Sequence, residues 1–464
     1  MIADMGNKAE DRGVNENAIG EESRKINREL LEFLDNSPTG FHAVANMKAM
    51  LEQAGFKRLL EGQAWTLKGG EGYYVTRNDS ALIAFRIPGK GFSGFQIMAS
   101  HSDSPALKIK ENAEIEVEKR YVKLNVERYG GLLCAPWMDR PLSVAGRVVV
   151  RTGQGVAAKL VNVDRDLLII PNLAIHMNRK ANEGYEFNAQ KDMLPLFCGG
   201  TAGGGFLKLI AEAAGVGEKD ILDTDLFLYN RMKGTVLGLD GEFIAAPRLD
   251  DLQCAFASLK GFLAAEPNGS AAVHCVLDNE EVGSGTKQGA GSTFLRDVLR
   301  RINTAMGRSE EEYLMALASS FMVSADNAHS VHPNHPDKAD PTNRPFMNGG
   351  IVVKYSANQK YTTDAISGAV FKAICERAKV PCQVFFNRSD MIGGSTLGNI
   401  SNSQVALNTV DIGLPQLAMH SCYETAGGKD TAYLVRAARE LYSSSLCGNG
   451  DGEYRIAWAE GQGE

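Results

Sequence analysis

The hydrophobic period of this chain changes along its length, and that change limits what it can fold into more than any other feature. Two helical stretches come first, Arg24–Leu34 and His42–Ala54, separated by the breaker Ser37-Pro38-Thr39. From Trp65 the apolar residues fall into short strand-like runs, YYVTRN, ALIAFRI and GFQIMAS, the last running into His101. From about 106 to 245 alternation dominates, as in LKIKENAEIEVEKRYVKLNVERYGG, LSVAGRVVVRT and AAKLVNV, with no convincing helix before Gly204–Ala214. From Ala246 the rhythm turns to strands alternating with helices. A helix opening at Arg248-Leu249-Asp250 leads to the strand AAVHCVLD. Helices at 290–305 and 309–318 lead to SFMVSAD. A helix at Thr362–Lys379 leads to CQVFFN, QVALNTVDIG and a final helix, Thr431–Ser444.

Strands alternating with helices build a mainly parallel, covered sheet. The expectation is therefore an α/β fold of more than one domain, since 464 residues exceed what one core organises. Residues 23–105 and 246–464 read as one discontinuous α/β domain, 106–245 as a β-rich domain inserted into it, and 1–22 as a flexible N-terminal extension.

Bulk properties exclude several partners. The net charge is −7, from 49 basic and 56 acidic residues, with no long basic run, so nucleic acid is not an expected partner. No stretch approaches the length of an apolar membrane span. The N-terminus lacks a basic start followed by an apolar run, so a signal peptide is not expected. The eight cysteines form no CxxC pair and read as reduced thiols. These features together point to the cytoplasm, and to metal chemistry without thiolates.

In open α/β sheets, ligands bind beyond the carboxyl ends of the strands. GFQIMAS ends in His101-Ser102-Asp103, AAVHCVLD in Asn279-Glu280-Glu281, SFMVS in Ala325-Asp326-Asn327 and PQLAM in His420-Ser421. Asp250 adds a carboxylate at a helix start. Four strand ends are thus expected to deliver imidazole or carboxylate to one edge of one sheet, a donor set suited to Zn²⁺, Co²⁺ or Mn²⁺. Paired metals ~3.5–4 Å apart need a shared carboxylate, and Asp250 is the natural bridge. Glu280 and Glu281 are adjacent, so one can bind metal while the other contacts the attacking water. Asp103 shares an extended face with His101 and can accept its second ring N–H. Taken singly, each feature is ordinary: an HxD pair is usually on the surface, an Asp at a helix start is usually a cap, and a Glu-Glu pair is usually solvated. Only the joint pattern points to a site.

At these residues the chain resembles the M18 metallo-aminopeptidases, of the aspartyl-aminopeptidase-like bacterial branch. The matching stretches run from about Leu30 to the final helix. They include SPTGFHAV, ASHSDSPALKIK, YGGLLCAPWMDRPLSVAGRV, IPNLAIHMNR, RLDDL, DNEEVGS, VSADNAHSVHPN, NGGIVVKYSANQKY, SDMIGGST and TVDIGLPQLAMHS. The resemblance implies a three-layer α/β/α phosphorylase/hydrolase-like catalytic domain, with 106–245 as a dimerisation domain. It implies two divalent ions per chain, zinc first and cobalt or manganese as alternatives. His101, Asp250, Glu281, Asp326 and His420 would be the ligands, with Asp250 bridging and Asp103 orienting His101. Glu280 would be the general base. His176 would reach a neighbouring subunit's site and stabilise the oxyanion, and Lys354 would receive acidic substrate side chains. Homodimers would assemble into a tetrahedral homododecamer. Two departures stand out: RLDD replaces the commoner RLDN, making Asp251 a rival to Asp250, and MHSCYE replaces the commoner MHSIRE, placing Tyr423 where an Arg is usual.

The expected function is hydrolysis of the N-terminal residue of peptides, with Asp or Glu preferred. The alternatives are another two-metal amidohydrolase on the same fold, a carboxypeptidase or deacylase, and an aminopeptidase for neutral residues. A non-enzymatic assembly protein is disfavoured by the intact donor set. A serine hydrolase is weaker still, since GxSxG survives only as Gly283-Ser284-Gly285.

Overall fold

The computed structural model describes residues 20–459 except 90, 202 and 449–451. The proposed N-terminal extension lies outside these residues up to position 19. The first helix, Glu21–Asp35, begins three residues earlier than the apolar spacing indicated.

A nine-stranded sheet organises the chain. Its order is Lys57–Arg58, Gly72–Arg77, Ala81–Arg86, Ser270–Leu277, Gly94–His101, Phe321–Ala325, Asn408–Gly413, Ile351–Tyr355 and Cys382–Phe386. The central strands 270–277, 94–101, 321–325 and 408–413 run parallel. Antiparallel neighbours flank them, so the sheet is mixed. Alternate residues of the central strands face opposite layers, as the two-residue period requires. Met98 and Val276 pack with helices Glu21–Asp35, Leu249–Ala264 and Asp430–Tyr442. Ile97, Ala99, Val273 and Cys275 pack with Phe294–Ala305 and Glu310–Ala318. Helices cover both faces, and the result is a three-layer α/β/α arrangement.

A second, six-stranded sheet is built only from residues between 106 and 230, with every neighbouring pair antiparallel. It has its own apolar core, which includes Leu107, Leu124, Val144, Trp137 and Leu226. The strands at the end of the β-rich segment behave differently. Thr235–Leu237 and Phe243–Ala246 join a five-stranded sheet with Glu424–Gly427, Pro415–Leu417 and Ala328–His329. That third sheet joins the end of the β-rich segment to the C-terminal part of the α/β portion.

Two sequence expectations need correction. QVALNTVDIG is not strand throughout: the strand starts at Asn408, because Asn402 Oδ1 accepts the Leu407 N–H (3.2 Å) and the Thr409 hydroxyl (3.2 Å) and closes a turn before it. The helix at 248 also starts late. Arg248 is left-handed (φ 60°), Asp250 is extended (φ −80°, ψ 110°), and regular helix follows only after Asp251.

That helix lies against Asp430–Tyr442 at a point where only glycine fits. A Cβ on Gly261 would stand 2.5 Å from Ala438 Cβ and 2.8 Å from both Arg439 N and Val435 O. Backbone atoms cannot yield as a side-chain tip can, so overpacking there costs about 1–3 kcal/mol. That outweighs the ~1 kcal/mol that alanine gains in helix propensity. Gly261→Ala is therefore expected to lower the urea midpoint at unchanged m-value, and an equal or higher midpoint would contradict this packing.

Candidate metal centre

The donors arrive from different elements. His101 is the last residue of the strand Gly94–His101 and is 1% exposed. Glu280 and Glu281 sit in the single 3-10 turn after the strand ending at Leu277, with Asn279 left-handed (φ 61°) to redirect the chain. Asp326 follows Phe321–Ala325 directly. His420 corrects the one-edge expectation. It does not end a strand of the large sheet but lies in the loop between Pro415–Leu417 and Glu424–Gly427 of the five-stranded sheet. Its residues Ala418 (φ 56°) and His420 (φ 67°) are left-handed, which turns the chain sharply within that loop.

Asp250 stands between two groups. Its Oδ1 is 3.5 Å from His101 Nε2, which is itself 3.8 Å from Asp326 Oδ1. Its Oδ2 is 3.6 Å from His420 Nε2, which is 3.3 Å from Glu281 Oε2. Ligand atoms of His101, Asp250, Asp251 and Asp326 lie within 4.8 Å of one another, as do those of Asp250, Glu281 and His420, and those of His101, Glu280 and Glu281. Asp250 Oδ1 and Glu281 Oε1 are buried with no hydrogen-bond donor among the described residues. A buried carboxylate oxygen without a donor is costly. A divalent cation would satisfy both oxygens, so the residues present fit metal.

Protonation in the metal-free protein follows from this crowding. Burial pulls His101 down, but its contacts with Asp103 and Asp250 and the charges of Asp251 and Asp326 leave it well above the usual histidine range. Burial, with Asp326, Asp103 and Asp250 nearby, pushes Glu280 up to about 8 against the opposing pull of His101. Glu281 and Asp251 are raised as well, first by burial. Burial would also raise Asp326, yet the Lys354 ammonium 3.6 Å away and His101 overcome it, bringing Asp326 to about 2. Protons thus occupy places that a cation would take.

Asp103 does more than orient one ring. The main-chain carbonyl of Asp103 is 3.0 Å from His101 Nδ1, nearer than its carboxylate at 3.4 Å. The carboxylate accepts the N–H groups of Glu280 (3.1 Å) and Glu281 (3.2 Å) and the hydroxyl of Tyr129 (2.7 Å). It therefore fixes the turn that carries both glutamates.

Several contributors left little trace in the sequence. Tyr129 ends a strand of the six-stranded sheet, and its hydroxyl also accepts from Asn279 Nδ2 (2.8 Å). Gly130 is left-handed (φ 74°), with its Cβ position 3.2 Å from Glu281 Cβ. The Gly131 carbonyl lies 3.1 Å from His420 Nδ1, which leaves Nε2 facing Asp250. The YGG string was the only signal for these three. Glu424 is 2% exposed; it ends the string MHSCYE, where only the Tyr423 position drew notice. Asp251 is fully buried, with Oδ2 accepting the His101 N–H (3.1 Å). It underlies the site, while Asp250 is the residue turned to both groups.

A cavity of ≈ 200 Å³ opens on the cluster, lined by His101, Asp250, Glu280, Glu281, Asp326 and His420, with Lys354, His329, Tyr361 and Phe385 further along. Lys354 is no solvated strand-end residue. It is 3% exposed, and its Nζ donates to the Asn327 carbonyl (2.9 Å). A larger cavity of ≈ 470 Å³ shares Asp250 but is lined by neither imidazole nor either glutamate. The smaller one meets the chemistry. His176 lies in an exposed loop, lines neither cavity and belongs to none of these donor groups, so within its own chain it is not brought to the site.

A group whose folded pKa is raised holds more protons folded than unfolded, so its stabilisation declines as pH climbs toward the folded value. His42, lowered to about 4 first by burial, and His274, lowered to about 3 by burial, oppose this only below their unfolded value of 6.5. Between pH 6.5 and about 8 the raised carboxyls dominate, Glu280 among them. Chelator-treated protein should therefore melt at progressively lower temperature across that window. Zn²⁺ should raise the melting temperature more at pH 8 than at pH 6.5. A zinc increment independent of pH would contradict the protonation pattern.

Known proteins similar to this chain point to one family. The family model described as aminopeptidase I zinc metalloprotease (M18) matches residues 33–442. A probable M18 family aminopeptidase 2 of Clostridium novyi is 46% identical over 431 residues, covering 90% of this chain and 99% of its own length. Its counterpart in Pseudomonas aeruginosa is 44% identical, covering 91% and 99%. Among solved structures, the Ape4 and Nbr1 complex matches with TM-score 0.87 at 35% identity, covering 92% of this chain and 87% of that one. An M18 aminopeptidase of Thermotoga maritima matches with TM-score 0.79 at 25% identity, covering 91% and 97%. With a zinc-type donor cluster at its centre and a family match spanning most of its length, this chain belongs to the M18 family of metallo-aminopeptidases.

Proposed function

We propose that this M18 aminopeptidase holds two divalent ions per chain and removes N-terminal residues, acidic ones preferred, from peptides. The observation that carries the two-ion reading is Asp250, with one oxygen toward His101 and Asp326 and the other toward His420 and Glu281. In this reading Asp250 would be shared, His101 and Asp326 would help hold one ion, and Glu281 and His420 would help hold the other. Zinc is the first candidate on the family description, and cobalt and manganese suit the same donors. Bound there, the ions would polarise the scissile carbonyl and acidify the attacking water.

The chain's own groups do the rest. Glu280 lines the cavity beside the donors, where it can take the water's proton and return it to the leaving amine. Asp103, bound to the Glu280 N–H, holds that carboxylate in place. Burial in the cavity wall keeps bulk water from screening these charges. The buried Lys354, near His329 and Tyr361, supplies a cation for an acidic substrate side chain. Burial would lower its pKa, yet Asp326 and its neighbours raise it, so it stays charged.

We extend the same reading to architecture. Residues 23–105 and 246–464 act as the catalytic domain and 106–245 as an inserted dimerisation domain. His176 of the partner subunit would then complete the site as an oxyanion donor. The apolar residues beside His176 support a covered loop, since Leu173, Ile175 and Met177 are 54%, 47% and 77% exposed in the single chain. A solved yeast relative, mApe1, is described as a dodecamer, and a tetrahedral dodecamer is the assembly proposed here. The cytoplasm is the proposed compartment; among the described residues no helix is long and apolar enough to cross a membrane.

Two experiments test the chemistry. Glu280→Gln should lower kcat by roughly 10²–10⁴-fold while metal content stays unchanged, and near-normal turnover would remove Glu280 from the role. On a panel of aminoacyl amides, Lys354→Met should cut kcat/KM for Asp and Glu by roughly 10- to 100-fold relative to Ala and Leu, the worth of a buried charged hydrogen bond. A wild-type preference for neutral residues would overturn the acidic assignment, and cleavage only of N-acyl or C-terminal substrates would overturn aminopeptidase action.

A further inference from the structure

One buried carboxylate accepts from two of the donor residues without belonging to any of the donor groups itself. Glu424 opens the strand Glu424–Gly427 of the five-stranded sheet and is 2% exposed. Its Oε2 accepts the main-chain N–H of Asp250 (3.0 Å), and its Oε1 accepts that of His420 (2.8 Å). Neither N–H has an ordinary partner available. Asp250 sits before the regular helix, and His420 sits in a left-handed bend. A buried main-chain N–H left alone costs as much as a lost hydrogen bond. One side chain thus satisfies two donors that are 170 residues apart, and those two belong to the same group with Glu281.

The connection continues below the site. Gln416 Nε2 approaches Glu424 Oε1 (3.4 Å), and Gln416 Oε1 accepts from Asn327 Nδ2 (2.7 Å). Asn327 also donates to Gln253 Oε1 (3.0 Å) and follows Asp326 directly. The polar network therefore holds the main chains of Asp250, His420 and Asp326 relative to one another, and Glu424 is its only member bonded to two of them. A carboxylate is suited to this position because it accepts on both oxygens. An amide would turn an N–H₂ toward one of the two N–H groups.

We propose that Glu424 is a positioning residue that fixes Asp250 against His420 and so sets the affinity of the metal site on the His420–Glu281 side. It is assigned no contact with metal or substrate, and the proposal rests on the two-ion reading above. Partners outside the ligand shell commonly change metal affinity by about 10- to 100-fold. The expected effect of losing Glu424 is a drop of that size at the site where Asp250 and His420 are both ligands, and a smaller one at the site that shares only Asp250.

The test uses the full chain, stripped with chelator and titrated with Co²⁺, whose visible spectrum reports coordination geometry. Bound metal is counted by equilibrium dialysis. Wild-type protein should bind two ions per chain. E424Q should bind the second ion about 10- to 100-fold more weakly, with a smaller loss for the first and an altered spectrum for the second equivalent. Its kcat should recover at high Co²⁺ with KM little changed. E424D, read in the same titration, should fall between the two, and it keeps the test available if E424Q does not fold. Two weakenings of equal size, accompanied by a lower melting temperature of the metal-free protein, would show a merely structural role and overturn the proposal. Two wild-type affinities would overturn it as well. Fewer than two ions on the wild type would instead refute the two-ion reading, and this inference with it.

Discussion

The negative charge packed around Asp250 is the constraint on which the rest of the structure depends. Asp250, Asp251, Glu281 and Asp326 converge within a few ångströms, largely out of water, together with the imidazole of His101. Like charges held this close in a poorly polarisable interior repel strongly unless protons or cations intervene. The fold tolerates the cluster because the ligand-bearing loops are held from below by main-chain hydrogen bonds. Asp103 anchors the Glu280–Glu281 turn, and Glu424 anchors Asp250 and His420. The residues that hold the site are themselves carboxylates, so the holding adds to the same charge burden that a metal relieves.

Three sheets share the task of placing the donors. The large sheet supplies His101, the glutamate turn and Asp326 at its strand ends, and the five-stranded sheet supplies His420 and Glu424. The six-stranded sheet contributes no ligand but reaches in through Tyr129, Gly130 and Gly131. Any shift of that sheet would be felt at Asp103 and His420 together. The exposed apolar loop around His176 belongs to the same part of the chain, so under the proposed assembly the subunit contact and the site would share one segment.

Much of this was legible in the sequence, and the reasons are physical. Strands that end in His or carboxylate could be read because a buried parallel strand is a short apolar run with a sharp end, as GFQIMAS and SFMVS show. The switch to alternation near 106 similarly reported half-exposed antiparallel strands. What could not be read were contacts set by backbone geometry alone. The bend at Ala418–His420 placed His420 on a different sheet from the one expected, and no side-chain period encodes a left-handed turn of non-glycine residues. Glu424 looked like any strand glutamate, because its role lies in accepting main-chain N–H groups from residues far away in sequence. The strand Phe243–Ala246 closes the β-rich segment, yet it pairs with Glu424–Gly427, since an apolar run marks a strand and not its partner.

The central claim is that Asp250 is shared between two cations, one on each of its oxygens. Anomalous diffraction at the zinc edge from crystals of the zinc-loaded protein tests it most directly. The account requires two peaks per chain separated by ~3.5–4 Å, with Asp250 between them, His101 and Asp326 on one, and His420 and Glu281 on the other. A single peak, or paired peaks that leave Asp250 bound to only one ion, would contradict it.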